Sequence, residues 1–181
     1  MKDLTDKISE TLKLLRKEKG WSLDIASENT KVSKAMLGQI ERGESSPTIA
    51  TLWKIVNGFN VSFSTFLKDC ATDKAISKRQ PIHPKDNKIR IMPLFPYDEL
   101  LKLEIFIIEL LPGCVHMSSS HNIGVIEHII VSQGEIEVCI DEAWKQIKES
   151  AGIRFDASKP HGYRNLSSKK AIFYNIIHYG K

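Results

Sequence analysis

From Leu4 to Leu67 the apolar residues return every third or fourth position, as in Ile8, Leu12 and Leu15 and again in Leu37 and Ile40, which is the helical period. Start and stop signals cut this stretch into five predicted helices. Thr5 or Asp6 caps the first, which runs to Lys17-Glu18-Lys19-Gly20, and Ser22 caps a second through Leu23 to Glu28. Ser33 caps a third, through Met36, Leu37 and Ile40 to Gly43; Pro47-Thr48 opens a fourth that ends near Asn57-Gly58; Ser62 to Leu67 makes a short fifth.

Beyond Ile89 the period changes. Leu103 to Ile108, Ile126 to Val131, Glu135 to Ile140 and Ala171 to Tyr179 are short, rich in β-branched and aromatic residues, and separated by Pro-Gly, Gln-Gly and Ser-Lys-Lys turns. A run of helices followed by a run of strands predicts separate all-α and all-β units. The expected division is residues 1–68, a polar linker over 69–88 that contains lysines and prolines, and residues 89–181.

Composition narrows the class. Hydrophobic residues make up 41% and charged residues 27% of the 181, ordinary values for a chain that buries a core. No apolar run approaches the roughly 20 residues of a membrane span, and Met1-Lys2-Asp3-Leu4 opens no cleavable signal, so a cytoplasmic protein with no membrane partner is expected. Cys70, Cys114 and Cys139 form an odd set without CxxC spacing, which predicts buried free thiols in place of a disulfide framework or a zinc knuckle. The net charge of +4 divides as +2 over residues 1–70, +4 over 71–90 and −2 over 91–181. That bias suits a polyanion at the front end only.

The helical half carries Leu15-Arg16-Lys17-Glu18-Lys19-Gly20-Trp21-Ser22-Leu23, then Val32-Ser33-Lys34-Ala35-Met36-Leu37, Gln39-Ile40-Glu41-Arg42-Gly43 and Ser46-Pro47-Thr48-Ile49-Ala50-Thr51-Leu52. These segments resemble the Cro-like phage-repressor (XRE) helix-turn-helix family across Ile8 to Leu67. The resemblance implies that the third helix enters the major groove of double-stranded DNA, with Ser33, Lys34, Ala35, Gly38 and Gln39 facing it and Ser22 and Arg42 beside it. Gln39 suits bidentate pairing with adenine, Lys34 and Ser33 suit guanine or phosphate, and Arg16 and Thr48 suit phosphate. The turn between the second and third helices usually holds a glycine; here Lys31 stands there, at a cost of about 1 kcal/mol if its φ is positive.

The strand half resembles the cupin superfamily, an all-β double-stranded β-helix barrel. Two motifs carry it: Leu111-Pro112-Gly113 through His121 to Glu127 with Gly134 following, and Gly152-Ile153-Arg154-Phe155-Asp156 through Pro160-His161-Gly162-Tyr163-Arg164-Asn165. Metal-binding cupins surround a divalent ion with two histidines one residue apart, a glutamate and a later histidine. By that resemblance His121, Glu127 and His161 fill three places, and the fourth holds Ile123, or Ser120 and Asn122 in a shifted alignment. Two histidines and a carboxylate still suffice for a divalent metal in the barrel. Three uses stay open here: a metal site, a metal-free polar pocket in which the same residues with Arg154 and Tyr163 bind an organic effector, and structural use alone.

The function expected is a DNA-binding transcription regulator and not an enzyme, paired as a homodimer on an inverted-repeat operator, with a barrel that senses a small-molecule effector or a metal. Two alternatives carry different signatures. A metal-dependent enzyme fused to a DNA-binding domain needs the full ligand set, and a constitutive repressor whose barrel only dimerises would be indifferent to loss of Glu127 or His161.

Overall fold

The computed structural model describes residues 4–70 and 88–180. The chain divides into two compact units, Met1–Asp69 and Cys70–Lys181. Apart from its ends, the linker expected over 69–88 lies outside the described residues.

The first unit contains α1 (Leu4–Glu18), α2 (Leu23–Thr30), α3 (Lys34–Glu41), α4 (Ile49–Phe59) and a 3-10 helix (Phe63–Cys70). Three hydroxyls set the helix starts. Ser22 accepts from Ile25 N, Ser33 from Met36 N and Thr48 from Thr51 N, each satisfying a backbone donor that the first helical turn leaves without a partner. Lys31 closes α2 in the left-handed region at φ 56°, the conformation a glycine usually supplies there, and its N–H bonds Ser27 O at 2.9 Å.

Two expectations change in this unit. The fifth element is a 3-10 helix and not an α-helix, so the unit has four α-helices among the described residues. Ser62, Ser64 and Thr65 bond one another's hydroxyls, and Phe63 and Phe66, three apart, both bury at 1% exposure, an arrangement that a three-residue turn permits. The fourth helix runs past Gly58 to Phe59. A Cβ on Gly58 would lie 2.6 Å from Thr30 Cα, so this glycine serves close packing of α4 on α2 instead of stopping the helix. Leu12, Leu37, Ile40, Ile55 and Phe59 fill the core at no more than 1% exposure, each contributing about 1.5–3 kcal/mol of burial.

Among its described residues the second unit is a two-sheet barrel of nine strands: β1 (Ile89–Asp98), β2 (Leu103–Leu110), β3 (Cys114–Ser118), β4 (Ile126–Gln133), β5 (Glu135–Ile140), β6 (Ala143–Lys148), β7 (Gly152–Asp156), β8 (His161–Asn165) and β9 (Ala171–His178). One sheet runs β1-β2-β9-β4-β7 and the other β3-β8-β5-β6, with every pairing antiparallel. Strand alternation gives each sheet a buried face and an outer one. On β9, Ala171, Phe173, Asn175 and Ile177 are buried while the residues between them are half-exposed. Cys114 and Cys139 are buried within the barrel and neither is in a disulfide.

Candidate nucleic-acid interface and metal centre

The start of α3 is exposed. Ser33, Lys34, Ala35, Met36 and Gln39 are exposed, while Leu37 and Ile40 turn into the core. No acidic residue occupies the first turn of α3. Lys34 Nζ lies 2.8 Å from Asp24 on α2, an exposed pair that solvent screens. Arg42 makes a two-pronged exposed pair with Glu44.

Two residues assigned to the DNA surface sit differently. Gly38 is buried: a Cβ there would meet Arg42 Nη1 at 3.1 Å and Leu23 Cδ1 at 3.8 Å, so the glycine lets α3 approach α2 and does not face outward. Arg16 is committed inside the unit. Its Nε and Nη2 bond the two oxygens of Glu41 at 2.5 and 2.8 Å, and its Nη1 donates to Trp21 O at 2.8 Å. The Arg16 and Glu41 side chains are 18% and 8% exposed, so the fork joins α1, α3 and the α1–α2 turn. Ser22 and Thr48 are exposed caps whose hydroxyls accept from their own helices.

In the barrel, three loops and strands bring His121, Glu127 and His161 together. His121 leads into β4, and its N–H donates to Ala157 O at 2.9 Å; Glu127 is the second residue of β4; His161 opens β8. All three are at most 5% exposed. Glu127 Oε1 lies 2.8 Å from His121 Nε2 and 3.4 Å from His161 Nε2, and the three donor atoms fall within 4.8 Å of one another. The other oxygen, Oε2, accepts from Tyr163 OH and from Asn175 Nδ2 at 3.2 Å. His161 Nδ1 faces Lys159 O at 2.9 Å, which turns Nε2 toward the carboxylate.

Electrostatics follow from that packing. Burial alone would push the Glu127 carboxyl up, yet His121 and His161 beside it hold it well below the usual carboxylate range. Burial pulls His161 down, but the same carboxylate outweighs it and leaves the ring more basic than usual. Tyr163 is held protonated by burial and by the adjacent negative charge. His161 Nε2 has no hydrogen-bond partner, although it is buried. Two imidazole nitrogens and one carboxylate oxygen converging with a donor atom to spare are a set that fits a divalent transition metal.

Sequence reasoning placed Arg154 with these residues, and the structure does not. On β7 it is Phe155 that pairs with Glu127 and faces inward, so Arg154, one residue earlier, lies on the outer face opposite His128. Ile123, in the place of a fourth ligand, is 94% exposed. Asn175 was missed; its only sequence signal is an amide at an inward position of an otherwise apolar strand.

Comparison with known proteins agrees with both halves. The helix-turn-helix pattern HTH_3 matches residues 12–66, and the cupin-domain pattern Cupin_2 matches residues 106–177. The chain is 45% identical to the HTH-type transcriptional regulator SutR of Escherichia coli K12 over 181 residues, covering 99% of this chain and 98% of that protein. It belongs to the HTH-type transcriptional regulators with a cupin domain. A crystal structure of an HTH_3 family transcriptional regulator from Vibrio cholerae superposes with a TM-score of 0.90 at 47% identity, covering 98% of each chain. The isolated Cupin_2 domain of an XRE family regulator from Enterobacter cloacae is 45% identical with a TM-score of 0.51, over 52% of this chain and 99% of that one. As a cupin-bearing HTH-type regulator, the protein binds DNA through its first unit. No helix among its described residues is long and apolar enough to cross a membrane.

Proposed function

We propose that this regulator acts in the cytoplasm as a homodimer that reads an inverted-repeat operator through α3, holds one divalent metal in its barrel, and catalyses no reaction. The domain division is residues 1–68 for DNA, 69–88 as linker and 89–181 for sensing and pairing. Two α3 helices related by a two-fold axis need half-sites about one helical turn, roughly 10 bp, apart. Pairing falls to the outer face of the five-stranded sheet. There Ile105 and Ile107 of β2 stand in register with Ile176 and Tyr174 of β9, an apolar stripe of half-exposed side chains.

The observation that carries the metal reading is the convergence of three donors at no more than 5% exposure. A site so enclosed accepts a single ion without rearrangement, whereas an organic effector among the same side chains needs them to part. The bound ion, held by His121, Glu127 and His161, would supply a Lewis-acidic centre inside the barrel. Glu127 would bind through Oε1, because Oε2 is held by Tyr163 and Asn175. Occupancy alters operator affinity only as far as it favours one arrangement of the dimer over another.

The test is metal content per chain of untagged protein purified without chelator, followed by operator titration before and after chelation. About one equivalent, lost in His161→Ala, together with a changed operator affinity, is the expected result. No metal and no effect of chelation would leave a metal-free effector pocket or a barrel that only dimerises.

A further inference from the structure

Among the described residues of the helical unit, three large apolar side chains are exposed: Leu14 on α1, Ile25 on α2 and Met36 on α3. Single exposed apolar residues are ordinary on a protein surface. Met36 differs from the other two in its place. Its N–H donates to the capping hydroxyl of Ser33 at 3.3 Å, so it stands in the first turn of α3. The N-terminal residues of a helix lying in the major groove are the ones that reach base edges. Gln39 follows Met36 by three residues, and positions three apart are neighbours on a helix surface. Leu37, Gly38 and Ile40 are buried, so the outward side of α3 from its cap to Gln39 consists of Ser33, Lys34, Ala35, Met36 and Gln39. Ser33, Lys34 and Gln39 bring hydrogen-bonding groups to that side, while Ala35 and Met36 bring apolar surface.

We infer that Met36 is a specificity-determining residue of the operator contact and selects thymine through its 5-methyl group. The inference rests on α3 being the helix that reads bases. Along the major groove the base edges are hydrogen-bond donors and acceptors, and the apolar feature among them is the thymine C5 methyl. An apolar side chain laid on donors and acceptors strips them of water and returns nothing. Laid on the methyl, both apolar surfaces leave water together. Met36 reaches farther from the helix than Ala35, whose side chain is one methyl group, and its unbranched chain with three rotatable bonds adapts to the groove floor. The contact is different in kind from those of Gln39, Lys34 and Ser33, because removing a methyl from the DNA disturbs it and leaves every hydrogen-bonding group on the base edges in place.

The experiment starts from operator DNA selected out of a random pool by the full-length wild-type chain. Each thymine of that DNA is then replaced singly by deoxyuridine, which keeps the base pair and removes only the methyl. Wild type should lose about fourfold in affinity at a particular thymine, the effect of burying one methyl group. Met36→Ala should bind the unmodified operator at least about fourfold more weakly and show no further loss at that thymine. Met36→Leu, which keeps an apolar contact, should retain the sensitivity to the methyl. Because Met36 is exposed, both variants should melt as wild type does. Equal loss at that thymine in wild type and Met36→Ala overturns the inference, since the methyl would then act through Ala35 or through the stiffness of the DNA itself. Wild-type binding that no single deoxyuridine weakens overturns it as well. Lys34→Ala and Gln39→Ala separate this failure from that of the underlying reading. If either changes the preferred sequence while Met36→Ala keeps the methyl sensitivity, α3 reads bases without Met36; if all three variants keep wild-type affinity and preference, base reading by α3 fails and takes the inference with it.

Discussion

Ser33, Lys34 and Gln39 stand exposed on α3, whereas His121, Glu127 and His161 are closed inside the barrel. The polar chemistry of the helical unit therefore faces a partner too large to enter a protein, and that of the barrel faces something small enough to be enclosed. The difference also fixes what mutation should do. An exposed side chain removed from α3 costs recognition and little stability, while a buried one removed from the barrel costs stability first. In the barrel one carboxylate satisfies most of its neighbours. Glu127 receives His121, Tyr163 and Asn175 and sits beside His161. Its replacement by Ala strands these donors, and the metal-free protein should lose about 3–5 kcal/mol, read as the thermal or denaturant unfolding of the barrel. Operator contacts through α3 should survive wherever the chain stays folded. A barrel that unfolds at its ordinary temperature in this variant would break the contrast.

pH sharpens the same contrast. Glu127 is depressed below its ordinary 4.5, so its contribution to stability is present above that value and fades as pH falls through the folded value. His161 is raised above its ordinary 6.5, so its contribution is present below 6.5 and is lost as pH rises through the folded value. Without metal, the melting temperature of the barrel should therefore peak between 4.5 and 6.5. Added divalent metal should reverse the alkaline limb, because ligation requires neutral imidazole and gains as protons leave. Melting curves from pH 4 to 9 with and without chelator check this, and coincident curves would remove the metal from the barrel.

Arg16 tests whether the inside–outside rule holds within the helical unit. In the structure it joins Glu41 to the Trp21 carbonyl. Arg16→Ala should cost about 1–3 kcal/mol of that unit's stability, the range for losing one side of a partly buried charged pair. The slope of log affinity against log salt for operator DNA should stay unchanged. A slope reduced by about 1 would instead mean that the arginine leaves Glu41 for a phosphate when DNA arrives.

Much of this was legible in the chain, for reasons that differ between the halves. Helix caps are local: Ser22, Ser33 and Thr48 mark their helices because a hydroxyl reaches only three residues ahead. Strands were legible as apolar runs, and His121, Glu127 and His161 through the spacing of a familiar motif. What the chain hid was long-range geometry. Gly58 reads as a stop until Thr30 is seen against it, and Arg154 reads as a neighbour of His161 until the pairing of β7 with β4 turns it outward. The Phe63 and Phe66 pair reads as well in an α-turn as in the 3-10 helix that forms, because three- and four-residue periods differ little over so few residues.

Gln39 carries the recognition side of the comparison. It is exposed at the outer face of α3, in a position to reach a base edge. Gln39→Ala should cost about 1–3 kcal/mol of operator affinity, confined to one base position, with no change in melting temperature. Selection of binding sites from a random pool by wild type and variant shows it directly. Identical preferred sequences would take Gln39 out of the base-reading set and leave Ser33 and Lys34 to supply specificity.

The smallest effect expected is at Lys31, where the helical unit departs from the glycine that usually joins α2 to α3. Its φ of 56° is the left-handed region, which a side chain with a Cβ occupies at a cost, and the turn is held by the Lys31 N–H bond to Ser27 O and by Val32 N–H donating to Thr30 Oγ1. Lys31→Gly relieves that strain but also frees the unfolded chain, so the two terms oppose and the net gain should not exceed about 1 kcal/mol. Lys31 is exposed and close in sequence to Ser33 and Lys34, so its charge can act on DNA even where its backbone cost is small. Melting temperature and salt-dependent operator affinity of Lys31→Gly separate these. A small rise in stability with a shallower salt slope would show that the strained turn is kept for its charge, and a rise with no change in slope would show that it is simply tolerated.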